Sequence, residues 1–177
     1  TGLETSKGII SCSILGVGIG LELEDTWMKR AGLKMNAGID CDEYLQTTLP
    51  NVFVAGDVAH VFDVHSEKHV TVGNWMNAHM QGLVAAKNMA GEKTVFSLVS
   101  SYAINVLGME TIFIGNVARE HADEVHVVGS GQKDGIGQLH TNQGRMIGAV
   151  LLNRNTDRPK LTKMIQEKAL LDITEFS

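Results

Sequence analysis

The sequence predicts an α+β chain of two unlike parts, an α/β segment followed by an antiparallel β-meander closed by a helix. Three observations carry this. A short apolar run, Val52-Phe53-Val54-Ala55, enters from a Pro50-Asn51 turn and stops at Gly56-Asp57, as a buried strand does. Residues 71–89 then place small apolar side chains at helical spacing, with Gly91 as the stop. Beyond Gly91 come β-rich segments, an Asn142-Gln143-Gly144 turn and a last helical pattern.

Composition sets the bounds. A chain of 177 residues buries roughly 70% of its unfolded surface on folding, enough for one sizeable core or two small ones. Apolar residues at 44% and charged residues at 20% fit an ordinary globular protein and argue against disorder. No apolar run approaches the roughly 20 residues that a membrane-spanning helix needs. The net charge of −5 argues against a nucleic-acid surface, which requires clustered Lys and Arg. Cys12 and Cys41 form no C-x-x-C, so neither a disulfide scaffold nor a zinc ribbon is predicted. No signal peptide opens the chain, which makes a reducing cytoplasm the expected compartment. The first residue is Thr1 rather than methionine, and the chain is expected to be part of something longer.

Taken in order, residues 1–20 predict two strands, the second running from Gly8 to Leu15 into Gly16-Val17-Gly18-Ile19-Gly20. These glycines stand at i, i+2 and i+4, not in the G-x-G-x-x-G spacing of a phosphate-cradling turn. Residues 22–31 have helical character, with Leu21, Trp27 and Met28 as contacts and Gly32 as the stop. Gly38 to Leu45 alternates as a strand does, with Cys41 read as a small buried side chain.

Gly56-Asp57 is the first candidate site. A glycine at the C-terminal end of a strand lets a ligand approach the main chain, and a following carboxylate accepts hydrogen bonds from ligand hydroxyls. In an open α/β sheet, ligands bind at that edge. A plain strand-to-loop turn would also account for the pair. The longer string Asp42 to Ala59, DEYLQTTLPNVFVAGDVA, is more specific: an acidic-aromatic turn, a threonine pair, a proline turn, a four-residue apolar run and Gly-Asp in fixed order. It resembles the second flavin-binding segment of FAD-dependent pyridine nucleotide-disulfide oxidoreductases, a group that includes NADH oxidases, coenzyme-A-disulfide reductases, nitrite-reductase NADH subunits and ferredoxin reductases. The resemblance implies that Asp57 bonds the ribityl chain or nearby flavin atoms, with Gly56 and the Val58 backbone facing the FAD.

His60, Asp63, His65, Glu67 and His69 crowd the next stretch, 60–72. They are metal-ligand types, but H-E-x-x-H spacing is absent. A solvated loop covering the flavin is the simpler reading, with a metal site as the alternative. In the helix that follows, Trp75, Ala78, Gly82, Ala85, Ala86 and Met89 form a predicted inward stripe. Trp75, Ala78, Gln81 and Gly82 are similar to the W-x-x-A-x-x-Q-G helix of the same family. That likeness implies flavin contacts from Asn74, Trp75 and Ala78, the helix N-terminus facing the pyrimidine edge. Such an end is electropositive and favours negative charge nearby. The chain departs from the family at Gly73, where relatives often carry glutamate.

After Gly91 the predicted strands cover 101–116, 122–130, 135–141 and 145–152, with a turn at 154–159. Leu161, Met164, Ile165, Ala169 and Leu170 then mark the apolar face of the last helix. Arg119, His121, His126 and His140 belong to no constellation and are read as solvated or packing residues. The resemblance implies a division into 1–24, the tail of an NAD(P)H-binding domain; 25–93, a partial FAD-binding, Rossmann-like segment; and 94–177, an interface domain. It also implies an enzyme passing electrons from NAD(P)H through FAD to a disulfide, oxygen or a small redox protein, acting with the rest of its own chain in a homodimer. No general acid, base or nucleophile is identified. A flavin-free assembly module is the competing expectation.

Overall fold

A computed structural model describes residues 2–20, 22–131 and 134–176. It shows the predicted mixed class, with strands in three sheets. The chain opens on an antiparallel hairpin of β1 (Gly2–Thr5) and β2 (Gly8–Ser11). The β-rich run reads to Leu15, but the described ladder ends where Ser11 faces Gly2. Ile14 and Ile19 beyond it stand 88% and 91% exposed. Helix α1 (Thr26–Arg30) is shorter than its sequence pattern and turns Met28 inward. Trp27, an expected contact, is exposed, and Leu21 lies outside the described residues. Gly32 ends this segment at φ +85°, a left-handed conformation that glycine adopts without a Cβ penalty.

The next sheet corrects the reading of the central stretch. Strand β3 (Ile39–Cys41) lies parallel to β4 (Ala59–Asp63), which turns back antiparallel into β5 (Lys68–Val70). The strand therefore follows Gly56-Asp57 instead of ending there, and the predicted loop 60–72 is a hairpin held by the Val61 and Val70 pairing. Residues 52–55 are extended but make a single bridge, Gln46 to Phe53. The reason is local. Asp42 Oδ1 accepts from the backbone N–H groups of Tyr44 and Gln46, and Leu45 takes φ +63°. The bent 42–47 segment leaves only a short straight edge, bonded through Thr47 N–H to Val52 O and Val54 N–H to Leu45 O. Cys41 is buried, as read from the sequence.

Helix α2 (Trp75–Met89) begins at Asn74, whose Oδ1 accepts the Asn77 N–H at 2.8 Å. Its inward face matches the predicted stripe at Ala85, and in part at Ala78, but not elsewhere. Asn77, Gln81 and Ala85 are buried, whereas Trp75 is 76% and Met89 69% exposed and Gly82 and Ala86 also face outward. The buried amides are tolerated because each meets backbone: Asn77 Nδ2 donates to Val72 O, and Gln81 Oε1 accepts from Gly56 N–H. Met28, Ile39, Leu45, Val54, Ala59, Val61, Ala85 and Phe96 close one core.

Residues 94–100 run along this first unit before joining the second. Asn88 holds Thr94 through both ends of its amide, Phe96 N–H reaches Glu43 O, and Ser97 Oγ meets His65 Nε2 at 3.0 Å. The second unit is a five-stranded antiparallel sheet in the order β6 (Ser101–Val106), β7 (Met109–Gly115), β10 (Arg145–Leu152), β9 (Ile136–Asn142), β8 (Glu124–Val128). The run 101–116 is thus two strands, turned at Leu107 and Gly108 with φ +54° and +78°. The Gln143-Gly144 turn joins β9 to β10 as predicted, again with positive φ at both positions. Helix α3 (Arg158–Gln166) lays Leu161 and Ile165 on Ile112, Ile114, Leu139, Ala149 and Leu151. Ala169 and Leu170 fall beyond its end, and Leu170 is exposed. At Gly148 a side chain would overlap the Asn116 carbonyl, so the sheet closes only with glycine there. No helix among the described residues is long and apolar enough to cross a membrane.

Candidate functional site

The two halves of the sequence-predicted site meet. Gly56 takes φ +88°, and a Cβ built on it would lie 3.7 Å from the Ala78 Cβ, so the turn rests on the first turns of α2. A Cβ on Gly73 would lie 3.8 Å from Asp57 Cγ and 3.9 Å from its Oδ2. The Asp57 carboxylate therefore stands beside the residue that leads into the helix cap. It is exposed and engaged in no hydrogen bond among the described residues. Val58 follows it, half-buried, with its carbonyl bonded to Ile39 N–H at 2.8 Å.

At the other half, Asn74 has extended backbone and caps α2 through its side chain. Its carbonyl accepts from Ala78 N–H at 3.0 Å, which leaves the N–H groups of Trp75 and Met76 as helix-end donors without intrahelical acceptors. Two open donors and the positive end of a 15-residue helix thus follow within three positions of Gly73, the residue beside the Asp57 carboxylate. The pair can accept hydrogen bonds from hydroxyls on one side and donate to an electron-rich edge on the other.

Three residues were not named from the sequence as site residues. Gln81, fully buried, fixes Gly56 by a 2.7 Å hydrogen bond, and its Nε2 is buried without a partner among the described residues. Gly73 keeps space open beside Asp57. Ser100, arriving from the second unit, receives the Asn74 Nδ2 hydrogen bond at 3.0 Å. The motif spacing contained a signal for Gln81; nothing in the local sequence distinguished Ser100.

The histidines of the 60–70 hairpin take other partners. His60 Nδ1 lies 2.7 Å from Asp40 Oδ1, while Lys34 Nζ and Asn36 Nδ2 reach Oδ2 at 3.0 and 2.6 Å. Burial pushes the Asp40 carboxyl up, but the His60 and Lys34 contacts together outweigh it and hold the pKa below the ordinary carboxylate value. His69 packs against His60 and edge-on to Phe62. Among the described residues no three His, Cys, Asp or Glu side chains converge as metal ligands. A cleft of about 520 Å³ opens beside Asp40 and is lined by Lys34, Asp42, Gln46 and His69; Asp57 and the α2 tip do not border it.

The fold has counterparts among solved structures. A ferredoxin reductase structure from Rhodopseudomonas palustris superposes with a TM-score of 0.86 at 23% identity, covering 99% of this chain and 43% of that one. The putidaredoxin reductase in a covalent complex with putidaredoxin gives 0.85 at 19% identity, covering 97% and 41%. At these identities the likeness is one of fold.

Residues 2–82 match the family described as pyridine nucleotide-disulphide oxidoreductase. The ferredoxin–NAD(+) reductase component of 3-phenylpropionate/cinnamic acid dioxygenase from Photorhabdus laumondii is 29% identical over 94% of this chain and 41% of its own length. The nitrite reductase [NAD(P)H] of Bacillus subtilis is 27% identical over 99% of this chain and 21% of its own. The NADH oxidase of Mycoplasma pneumoniae is 26% identical over 96% and 41%. The chain thus spans less than half the length of these relatives.

Proposed function

We propose that this chain supplies the flavin-contacting segment and the interface unit of an FAD-dependent NAD(P)H oxidoreductase. One observation carries the reading: the Asp57 carboxylate and the N-terminal cap of α2 border the same space, with Gly73 leaving it open. The residues present fit the cofactor. Gly56 offers main chain without a side chain, Asp57 is an unspent acceptor, and Trp75 and Met76 have free N–H groups.

The chemistry FAD supplies when bound is acceptance of a hydride from NAD(P)H and onward delivery of electrons. Within that frame Asp57 accepts hydrogen bonds from ribityl hydroxyls. The α2 N-terminus, donating from Trp75 and Met76, favours added negative charge at the pyrimidine edge. Ala78 and the Val58 backbone would flank the bound group, and Gln81 keeps Gly56 in register with α2. The two cores divide a few residues later than 93 and 94, since Phe96 still packs in the first core and Val99 opens the second. The electron acceptor is a disulfide, oxygen or a small redox protein; the neighbour captured with putidaredoxin supports the last. We place the enzyme in the cytoplasm as a homodimer, a setting in which the two cysteines, free in the structure, stay reduced.

The test uses the full-length protein that contains this chain. It is expected to be yellow as purified and to bleach when NADH or NADPH is added under argon. Asp57→Ala is expected to weaken FAD at least tenfold, as loss of a charged hydrogen-bond acceptor does. A colourless protein that takes up no added FAD would overturn the reading and favour the assembly module.

A further inference from the structure

Ser100 belongs to the second unit, yet it touches the cap of the helix in the first. Its carbonyl accepts the Gly115 N–H at 2.8 Å, which ties it to the β6 and β7 ladder. Its hydroxyl accepts the Asn74 amide hydrogen at 3.0 Å. Asn74 has no freedom left. With Oδ1 committed to the Asn77 N–H at 2.8 Å, the amide group must point its nitrogen at Ser100, because a flipped amide would set donor against donor. The other linker contacts reach elsewhere: Asn88 stands at the far end of α2, Glu43 in the bent segment, and His65 in the hairpin turn.

We infer that Ser100 is a positioning residue through which the antiparallel meander sets the direction of the α2 N-terminus at the candidate cofactor site. The inference rests on the flavin reading for its consequence but not for its geometry. Asn74 is the hinge between the two: one amide atom caps the helix and the other is held by the meander. When Ser100 Oγ is removed, the amide still prefers to cap, but nothing fixes its rotation. The free N–H groups of Trp75 and Met76 then lose their aim. The meander thereby acts on the site without touching the ligand, and a substitution in the second unit changes a property of the first.

The experiment uses the full-length protein as wild type, Ser100→Ala and Ser100→Thr. Amide exchange at Asn77, measured without FAD, reports the cap itself. FAD affinity and the shape of the visible flavin band report the consequence. Ser100→Ala is expected to speed Asn77 exchange and to weaken FAD each about fivefold, the effect of losing one ordinary hydrogen bond, and to broaden the visible band. Ser100→Thr, which retains the hydroxyl, is expected to restore all three.

Unchanged exchange in Ser100→Ala overturns the inference whatever the flavin does. Faster exchange with unchanged affinity and band shape overturns it too, since the cap would then be merely structural. A wild type that binds no FAD defeats the flavin reading alone, and the exchange result still decides whether Ser100 sets the cap.

Discussion

Gln81 on α2 accepts the backbone N–H of Gly56 at 2.7 Å across 25 positions of sequence, from a side chain with no solvent exposure. A buried amide N–H without an acceptor is costly, so this bond decides where the Gly56-Asp57 turn sits against the helix. Gln81→Leu keeps the volume and removes the acceptor. Chemical denaturation is expected to show a loss of about 1–3 kcal/mol. A variant as stable as the wild type would mean that Gly56 finds another partner.

Asp40 gives the acid limb of stability. Its folded pKa lies below the ordinary value because the His60 and Lys34 contacts overcome the effect of burial. A depressed carboxylate contributes stability that is present above the unfolded pKa and lost as pH falls through the folded one. Thermal melts are therefore expected to fall steeply below about pH 4. Asp40→Ala is expected to melt lower at pH 7, by about 1–3 kcal/mol, and to show a shallower acid limb. An unchanged limb would assign it to other carboxylates.

His140 acts in a higher window. It is 4% exposed on β9, and neither ring nitrogen has a hydrogen-bond partner among the described residues. Burial, with the Arg119 charge nearby, lowers its pKa. The unfolded chain then binds the extra proton more readily, so stability holds above about pH 6.5 and declines as pH falls below it. His140→Leu is expected to flatten the melting temperature between pH 7 and 5. If the decline persists in that variant, another group causes it.

Cys41 and Cys12 are expected to differ in reactivity. Burial, reinforced by the charges of Asp42 and Asp40, pushes the Cys41 thiol up to about 12, so it stays protonated at neutral pH. Cys12 is only half-buried in an extended segment. Iodoacetamide at pH 8 followed by mass spectrometry is expected to label Cys12 alone in the folded protein and both in denaturant. Equal labelling rates would show that the first core opens.

Gly148→Ala tests how the second sheet closes. The added methyl would overlap the Asn116 carbonyl, whose own N–H is bonded to Ile147 O at 2.8 Å. Backbone on both sides leaves little to yield, and a loss of about 1–3 kcal/mol is expected in denaturant unfolding. A neutral result would show that the 116–122 loop moves freely.

Much of the layout was legible in the chain. Gly91, Gly32 and Gln143-Gly144 end or turn their segments where the sequence puts them, because positive φ restricts the residues that can stand there. The apolar runs of β10 and α3 also appear where their spacing predicts. The pairing of Gly-Asp with the helix start was legible only as a pattern resembling a family. Its geometry, Asp57 beside Gly73 and Gly56 against Ala78, comes from the folded chain.

What the sequence by itself determined is the set of local commitments: where chain reversals fall, which stretches can be helix, and that a carboxylate follows a glycine. Which face of α2 turns inward was decided only in three dimensions. Periodicity places apolar side chains inside, but here Asn77 and Gln81 occupy the buried face while Trp75 stands in solvent. The physical reason is that Val72 and Gly56, brought beside α2 by the fold, present backbone groups that need partners, and the side-chain amides of Asn77 and Gln81 meet them. The same holds for β4 and for Ser100: hydrogen-bond partners distant in sequence, not local preference, fixed their roles.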